Sequence, residues 1–423
     1  MINVNLLFIF LAGTAFLGFI VNAMFDRIRV TKVLPLILLG LLVGPVLSIV
    51  NTGPTSTIAL LTPFMTAVAV SFILFDVGLN INIFKLGRVI TKATAFTSFL
   101  AIVTAIVASL IAVIFLHWTL LESLIFGFAI SGPSSVIVPT LMRFTKINED
   151  LKTILIYESV TSDVFQLVLP LLLFEILVHT SITLESVTSL ILGVVVGSVT
   201  LGFVSALAWL YLLNRFKEYS RAYTWMLTIS MVVATYGIAQ ELDFSGALTV
   251  FTFGIVFANL GAVILRIENL AKTPGIGEIR EGVNRIMKKY FYFNRIRYVR
   301  GYQKEIEFFT STFFFVYVGM LVSISEVSLL LVGVGVIIVL SMMVIRVSGL
   351  RFLKEYIQGD EKESRITRRI VSSNISRGLS PAIVATLPIA FGIVIPNFID
   401  QIFLVILFSN VASTIGIALA YRE

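Results

Sequence analysis

Glu158-Ser159-Val160-Thr161-Ser162-Asp163 places two carboxylates inside an apolar run from Leu151 to Leu177. The run is long enough to cross a bilayer as a helix, which takes about 20 residues. A charged side chain at the centre of such a helix costs about 2.5–3.5 kcal/mol on insertion scales. Acidic groups there are therefore rare, and they mark an ion pathway, a proton relay or a buried pair.

Composition widens this from one segment to the whole chain. Of 423 residues, 58% are hydrophobic and 13% charged, where a soluble domain carries about a quarter charged residues. The many long apolar runs predict a polytopic all-α membrane protein rather than a barrel. The absence of cysteine excludes disulfides, iron–sulfur clusters and thiolate zinc sites. His117 and His179 are the only histidines, too few for a histidine metal cluster, and both read as interfacial side chains. The first apolar run has no basic segment before it and no cleavage site, so it reads as a first span and not a removable leader.

Thirteen spans are expected, at 4–25, 33–50, 58–79, 90–116, 119–142, 152–178, 184–213, 222–240, 244–264, 306–323, 327–349, 368–395 and 397–421. The connections sort by charge. One set holds Arg27, Arg29 and Lys32, then Lys85 and Arg88, Arg143 and Lys146, Arg215, Lys217 and Arg221, and the segments 265–305 and 350–369. The other set, around 51–57, 117–119, 179–184, 241–243, 324–326 and 396–400, has no Lys or Arg. Basic loops stay in the cytoplasm, which puts the N-terminus outside, the C-terminus inside and the protein in the plasma membrane. Topology thus accounts for most of the net charge of +7, and no nucleic-acid partner is needed. In 265–305, Lys288, Lys289, Arg295 and Arg297 surround Tyr290, Phe291, Tyr292 and Phe293. That alternation suits a cytoplasmic, basic, interfacial segment on anionic lipid.

Two spans carry breaks. Span 5 contains Ser131-Gly132-Pro133-Ser134-Ser135, and span 12 contains Ser376-Arg377-Gly378-Leu379-Ser380-Pro381. Gly and Pro within an apolar helix free backbone groups that lipid cannot satisfy. A simple proline kink explains one such site. If spans 1–6 and 8–13 are two six-helix repeats joined by span 7, both breaks fall in the fifth helix of a repeat, and the repeats are inverted. Discontinuous helices in inverted repeats point to a transporter site near the midplane. Asp163 lies roughly 16 Å from the inner end of span 6, about half the hydrocarbon core.

Arg346 in span 11 and Arg377 in span 12 are the basic residues lying clearly within spans, and both need counter-charges. Glu158 matches the depth of Arg346, so these two are expected to pair, with Arg377 close enough to share the carboxylate. The trio then has a structural or gating role. Asp163 is five residues from Glu158 and points elsewhere, while Ser159 shares its face. Asp163, Ser159, Ser162 and freed carbonyls near Ser131 and Gly132 would make an all-oxygen site, suited to an alkali cation or a proton. Asp76, near the cytoplasmic end of span 3, is a candidate for lining an entry funnel or capping a helix. Gly193 and Gly197 in span 7 match a close-packing pattern for membrane helices.

These residues resemble the monovalent cation:proton antiporter superfamily, nearest its sodium/proton exchanger branch. The run Leu34 to Pro45 resembles the second-span signature, Phe75-Asp76-Val77-Gly78-Leu79-Asn80 the third, and Glu158 to Asp163 the Glu-Ser-x-x-Asn-Asp motif of the sixth. Ile345 to Gly349 resembles the arginine-bearing eleventh span, and Arg377-Gly378 the twelfth. The resemblance implies that Asp163 is the exchange carboxylate and that Ser159 and a span-5 carbonyl help bind the cation. It also implies a Glu158–Arg346 pair, a homodimer, and elevator-like motion of a core made from spans 4–6 and 11–13 against spans 1–3 and 8–10. Two positions depart from the branch. Gly132 stands where an Asp usually precedes the span-5 proline, and Ser162 where an Asn usually precedes the exchange Asp.

The expected function is antiport of protons for Na+ or Li+ by alternating access, electroneutral because one carboxylate holds either a proton or a cation. The alternatives are K+/H+ antiport, a sodium-coupled organic anion symporter on a similar fold, and a non-transporting sensor or channel. No nucleophile–base pair suggests an enzyme, and no cofactor is expected beyond the transported ions.

Overall fold

The computed structural model describes residues 12–21, 23, 33–47, 57–80, 88–135, 137–143, 145, 147–178, 184–216, 223–270, 295–323, 327–357 and 361–420. Among these there is no strand. The helices are α1 Ala12–Val21, α2 Val33–Leu41, α3 Thr57–Asn80, α4 Arg88–Leu116, α5 Leu120–Ala129, α6 Val138–Arg143, α7 Glu149–Val178 and α8 Leu184–Arg215. They continue with α9 Thr224–Glu241, α10 Gly246–Leu270, α11 Arg295–Leu321, α12 Leu329–Gly349, α13 Glu361–Ser373, α14 Leu379–Ala390 and α15 Phe398–Ala420. A π-turn over Leu42–Val46, holding Pro45, extends α2, and a 3-10 turn over Leu350–Tyr356 follows α12.

Each expected span coincides with helix among the described residues, and spans 5 and 12 are each two helices rather than one. Stretches of α3, α4, α7 and α8, of α12 with the 3-10 turn after it, and of α15 are long and apolar enough to cross a membrane. Their outward faces are apolar too. Ile114, Val344 and Leu340 are exposed, which water penalises and lipid does not. The segment 265–305 is described only at its two ends. Its two ends continue α10 and begin α11, while 271–294, with Lys288 and its aromatic neighbours, and His179 lie outside the described residues.

The chain divides into two compact units. One spans 68–88 and 181–308 and holds the end of α3 with α8, α9, α10 and the start of α11. Phe75, Phe253 and Phe257 are buried at its centre with Leu210 and Val250. Gly78 and Gly254 let α3 and α10 approach backbone to backbone, because a Cβ on either would press on the other helix's carbonyls, Phe251 O or Phe75 O. Gln303 on α11 donates to Phe72 O at 3.1 Å.

The other unit spans 1–67, 89–180 and 309–423. It contains both interrupted helices, α7, α12 and α15. Close approach recurs there: a Cβ at Gly127 on α5 would collide with the carbonyl of Ala105 on α4. Ser109 on α4 donates to Ser123 O on α5 at 2.8 Å and ties the two together. A capping box starts α5: Thr119 and Glu122 exchange bonds through side chain and backbone. That fixes the entry angle of the first half of the first interrupted helix.

Candidate ion site at the crossing of two interrupted helices

The first break lies between α5 and α6, and the second, over 374–378, between α13 and α14. Gly132 and Pro133 cannot propagate a helix well, and Pro133 has no N–H to give. The two breaks meet. The Ser134 N–H donates to Ser376 O at 2.9 Å. A Cβ on Gly378 would collide with the Ser134 side chain, so only glycine lets the two breaks cross this closely. Backbone groups freed in one interrupted helix are thus partly satisfied by the other.

Other freed groups are met by α7 and α15. With its amide nitrogen turned toward the break, Gln166 donates to Gly132 O at 3.1 Å and Ala129 O at 3.2 Å. Ser162 donates to Pro133 O at 3.2 Å and to Ser159 O at 3.0 Å. A Cβ at Gly132 would collide with Ser162 Cβ, so the first break lies directly on α7. On the other side, Ser413 accepts from Ile375 N–H at 3.1 Å, Ser409 from Arg377 N–H at 3.2 Å, and Asn410 Nδ2 donates to Arg377 O at 2.7 Å.

Helix ends give the crossing its electrostatics. The C-termini of α5 and α13 bring unpaired carbonyls, and donors face them: Gln166 at the first, Arg377 Nη1 on Ile375 O at 3.2 Å at the second. The N-terminal turn of α14 brings the opposite polarity, and a carboxylate faces it. Ser380 in that turn donates to Asp163 Oδ1 at 2.6 Å, a short charge-assisted bond. Asp163 is 3% exposed.

Glu158 is held differently. Arg346 Nη1 donates to its Oε1 at 2.7 Å and Nη2 to its Oε2 at 2.6 Å, a bidentate pair between side chains that are 1% and 4% exposed. Arg346 Nε donates to Val371 O at 2.6 Å, and its guanidinium carbon lies 5.9 Å from the Phe96 ring centre. One arginine thus takes both oxygens of Glu158 and also ties α7 and α12 to the last turns of α13.

Arg377 does not share that carboxylate. It is buried, its hydrogen-bonded partner is the Ile375 carbonyl, and Nε has no partner among the described residues. The expected three-member cluster is, among the described residues, a bidentate Glu158–Arg346 pair, with Arg377 hydrogen-bonded to the Ile375 carbonyl instead. Ser131 Oγ, Ser376 Oγ and both amide atoms of Asn374 are also buried without partners among the described residues.

Ser159 lies on α7 near Asp163, but its hydroxyl proton goes to Ile156 O at 2.8 Å, one turn back. Its lone pairs alone are available to a ligand. Asp76 falls in the other unit, half-buried, and accepts from Asn80 Nδ2 at 3.0 Å. His117 is exposed between α4 and α5 with a φ of 55°.

Gln166, Ser380, Ser409 and Asn410 were not singled out from the sequence. Gln166 had a signal. Ser159, Ser162, Asp163 and Gln166 recur at spacings of three and four on one face of an otherwise apolar helix. Ser380 was visible in the second break without any indication of which helix it would face.

A family model described as "Sodium/hydrogen exchanger, transmembrane" matches residues 12–421. No curated protein matches the chain. Among solved structures, the sodium proton antiporter MjNhaP1 from Methanocaldococcus jannaschii at pH 8 superposes with a TM-score of 0.71 at 16% identity, covering 98% of this chain and 97% of that one. An electron-microscopy structure of the same antiporter gives a TM-score of 0.66 at 16% identity, covering 99% and 97%. At that identity the likeness is one of fold.

Proposed function

The chain belongs to the sodium/hydrogen exchanger family, and from that premise we propose that this integral membrane cation/proton antiporter exchanges protons for Na+ or Li+ at Asp163. The observation that carries the reading is the position of the Asp163 carboxylate. It is buried on α7, 2.6 Å from Ser380 at the start of the second interrupted helix. Glu158, the neighbouring carboxylate, has both oxygens on Arg346.

The chemistry is competition for one negative charge. With a proton on Asp163, the site is neutral and holds no cation. With the proton gone, the carboxylate, the lone pairs of Ser159 and carbonyls at Ser131 and Gly132 offer hard oxygen ligands to an alkali cation. Gln166, with its amide nitrogen turned toward the break, holds the Gly132 carbonyl, and Ser162 holds the adjacent Pro133 carbonyl. Arginine does not release its proton at physiological pH, so Arg346 and Arg377 exchange nothing. One carboxylate then moves one proton or one monovalent cation per crossing, and exchange is electroneutral. The half-saturating cation concentration rises as pH falls, because protons and cations compete for the same oxygens.

The thirteen-span count, the inverted repeats and alternating access belong to the same proposal. So do a moving core of spans 4–6 and 11–13, a homodimer in the plasma membrane with its C-terminus cytoplasmic, and the lack of any resident cofactor. K+/H+ exchange is the second reading. It is favoured by Gly132, whose contact with Ser162 leaves no room for a side-chain ligand in the first break.

Purified protein in liposomes loaded with a pH-sensitive dye tests these readings. Dequenching by Na+ and Li+ with little by K+ supports the first, and the reverse order supports the second. A steady transport current that reverses away from equal ion gradients contradicts electroneutral exchange.

A further inference from the structure

Several hydroxyls near the crossing bond back along their own helix, and Ser380 does not. Ser159 donates to Ile156 O, Thr386 to Ile383 O and Ser409 to Ile406 O, each three residues back on its own helix. That is the usual local option for Ser and Thr in a helix. Ser380 instead donates across to Asp163 on α7. Nor does it cap its own helix: the N-cap of α14 is Gly378, with no side-chain capping bond. Helix formation does not require this serine, and its hydroxyl serves the carboxylate.

We propose that Ser380 is a cation ligand and selectivity-determining residue of the exchange site, its hydroxyl oxygen binding the same ion as the Asp163 carboxylate. The inference rests on Asp163 being the exchange carboxylate. A hydroxyl carries one donor and two lone pairs. Without a cation, the Ser380 O–H points its hydrogen at the carboxylate and stands in for positive charge. When a cation arrives, rotation about the Cβ–Oγ bond turns a lone pair toward it, and the helix need not move. The same atom serves both states.

Two neighbouring positions are less able to take this part. Gly132 has no side chain and no room for one beside Ser162. The Ser162 hydroxyl is tied to Pro133 O and Ser159 O. Ser380 is thus the hydroxyl that α14 aims at Asp163 from across the crossing. A hydroxyl is a neutral, compact oxygen ligand, and its distance from the carboxylate sets the size of ion the pair can grip. Ser380 would therefore bear on the ranking of Na+, Li+ and K+ as well as on affinity.

The test is cation titration of proton flux in proteoliposomes with Na+, Li+ and K+, for wild type, Ser380→Ala, Ser380→Thr and Asp163→Asn. Ser380→Ala is expected to raise the half-saturating concentration of the preferred cation by roughly tenfold or more, the scale of one lost bond to a charged group. That rise should exceed any fall in maximal rate, and the order or spacing of the three cations should change. Ser380→Thr, which keeps the hydroxyl, should return both toward wild type. If the alanine variant does not fold, the near-isosteric pair Ser380→Thr and Ser380→Val makes the same comparison. Unchanged half-saturation and unchanged ranking without the hydroxyl overturn the inference, as does a loss of maximal rate alone that the threonine variant shares. Asp163→Asn separates the two claims. Flux lost there with Ser380→Ala unaltered sinks only the role of Ser380, and flux retained in Asp163→Asn sinks the reading beneath it.

Discussion

Ser134 and Ser376 join the two interrupted helices through their backbones, N–H to carbonyl at 2.9 Å. Each lies where its own helix has stopped. The bond satisfies a group that lipid could not. It also brings the α14 turn that carries Ser380 to Asp163.

The crossing depends on Gly378. A Cβ there would collide with the Ser134 side chain, and overpacking of a buried contact costs about 1–3 kcal/mol. Gly378→Ala is expected to lower the melting temperature of detergent-purified protein and to slow exchange. Ser134→Gly in the same chain should recover part of the loss by removing the colliding side chain. Melting that is unchanged in Gly378→Ala would mean that the breaks do not touch here.

The Glu158–Arg346 pair predicts an asymmetry. Removing one member of a buried pair leaves a lone charge and costs about 3–5 kcal/mol, whereas replacing both with apolar groups of similar volume is near neutral. Glu158→Leu alone should therefore destabilise more than Glu158→Leu with Arg346→Met. Thermal melts of the two single variants and the double variant decide this. Additive losses would show that the pair does not act as a unit.

Gln166 closes the first break by meeting the carbonyls of Gly132 and Ala129. Gln166→Leu keeps much of the bulk and strands both acceptors, at about 1–3 kcal/mol. The expected result is a lower melting temperature and poorer cation affinity, because the Gly132 carbonyl is a proposed ligand. Wild-type values of both in Gln166→Leu would remove Gln166 from the site.

Much of this was legible in the sequence. Apolar runs marked the helices because lipid demands them, and Gly132-Pro133 and Arg377-Gly378 marked the breaks because those residues fit a helix poorly. Counting residues inward put Glu158 and Arg346 at one level, and the two side chains meet. What the count could not supply was the azimuth of each helix. Arg377 makes no hydrogen bond to Glu158; its guanidinium reaches the Ile375 carbonyl instead. Ser159 shares a face with Asp163 but spends its proton on Ile156. The partner that Asp163 does find, Ser380, lies 217 positions away, and only the packing of α14 on α7 joins them.

The central claim is that Asp163 carries the exchanged proton or cation. Cation-driven proton flux in liposomes, wild type against Asp163→Asn, tests it most directly, with folding of the variant checked by its size-exclusion profile. Asparagine keeps the shape and removes the titratable charge. The account predicts a robust Na+- or Li+-dependent pH change in wild type and none above protein-free liposomes in Asp163→Asn. Flux at the wild-type rate in a folded Asp163→Asn protein would contradict it.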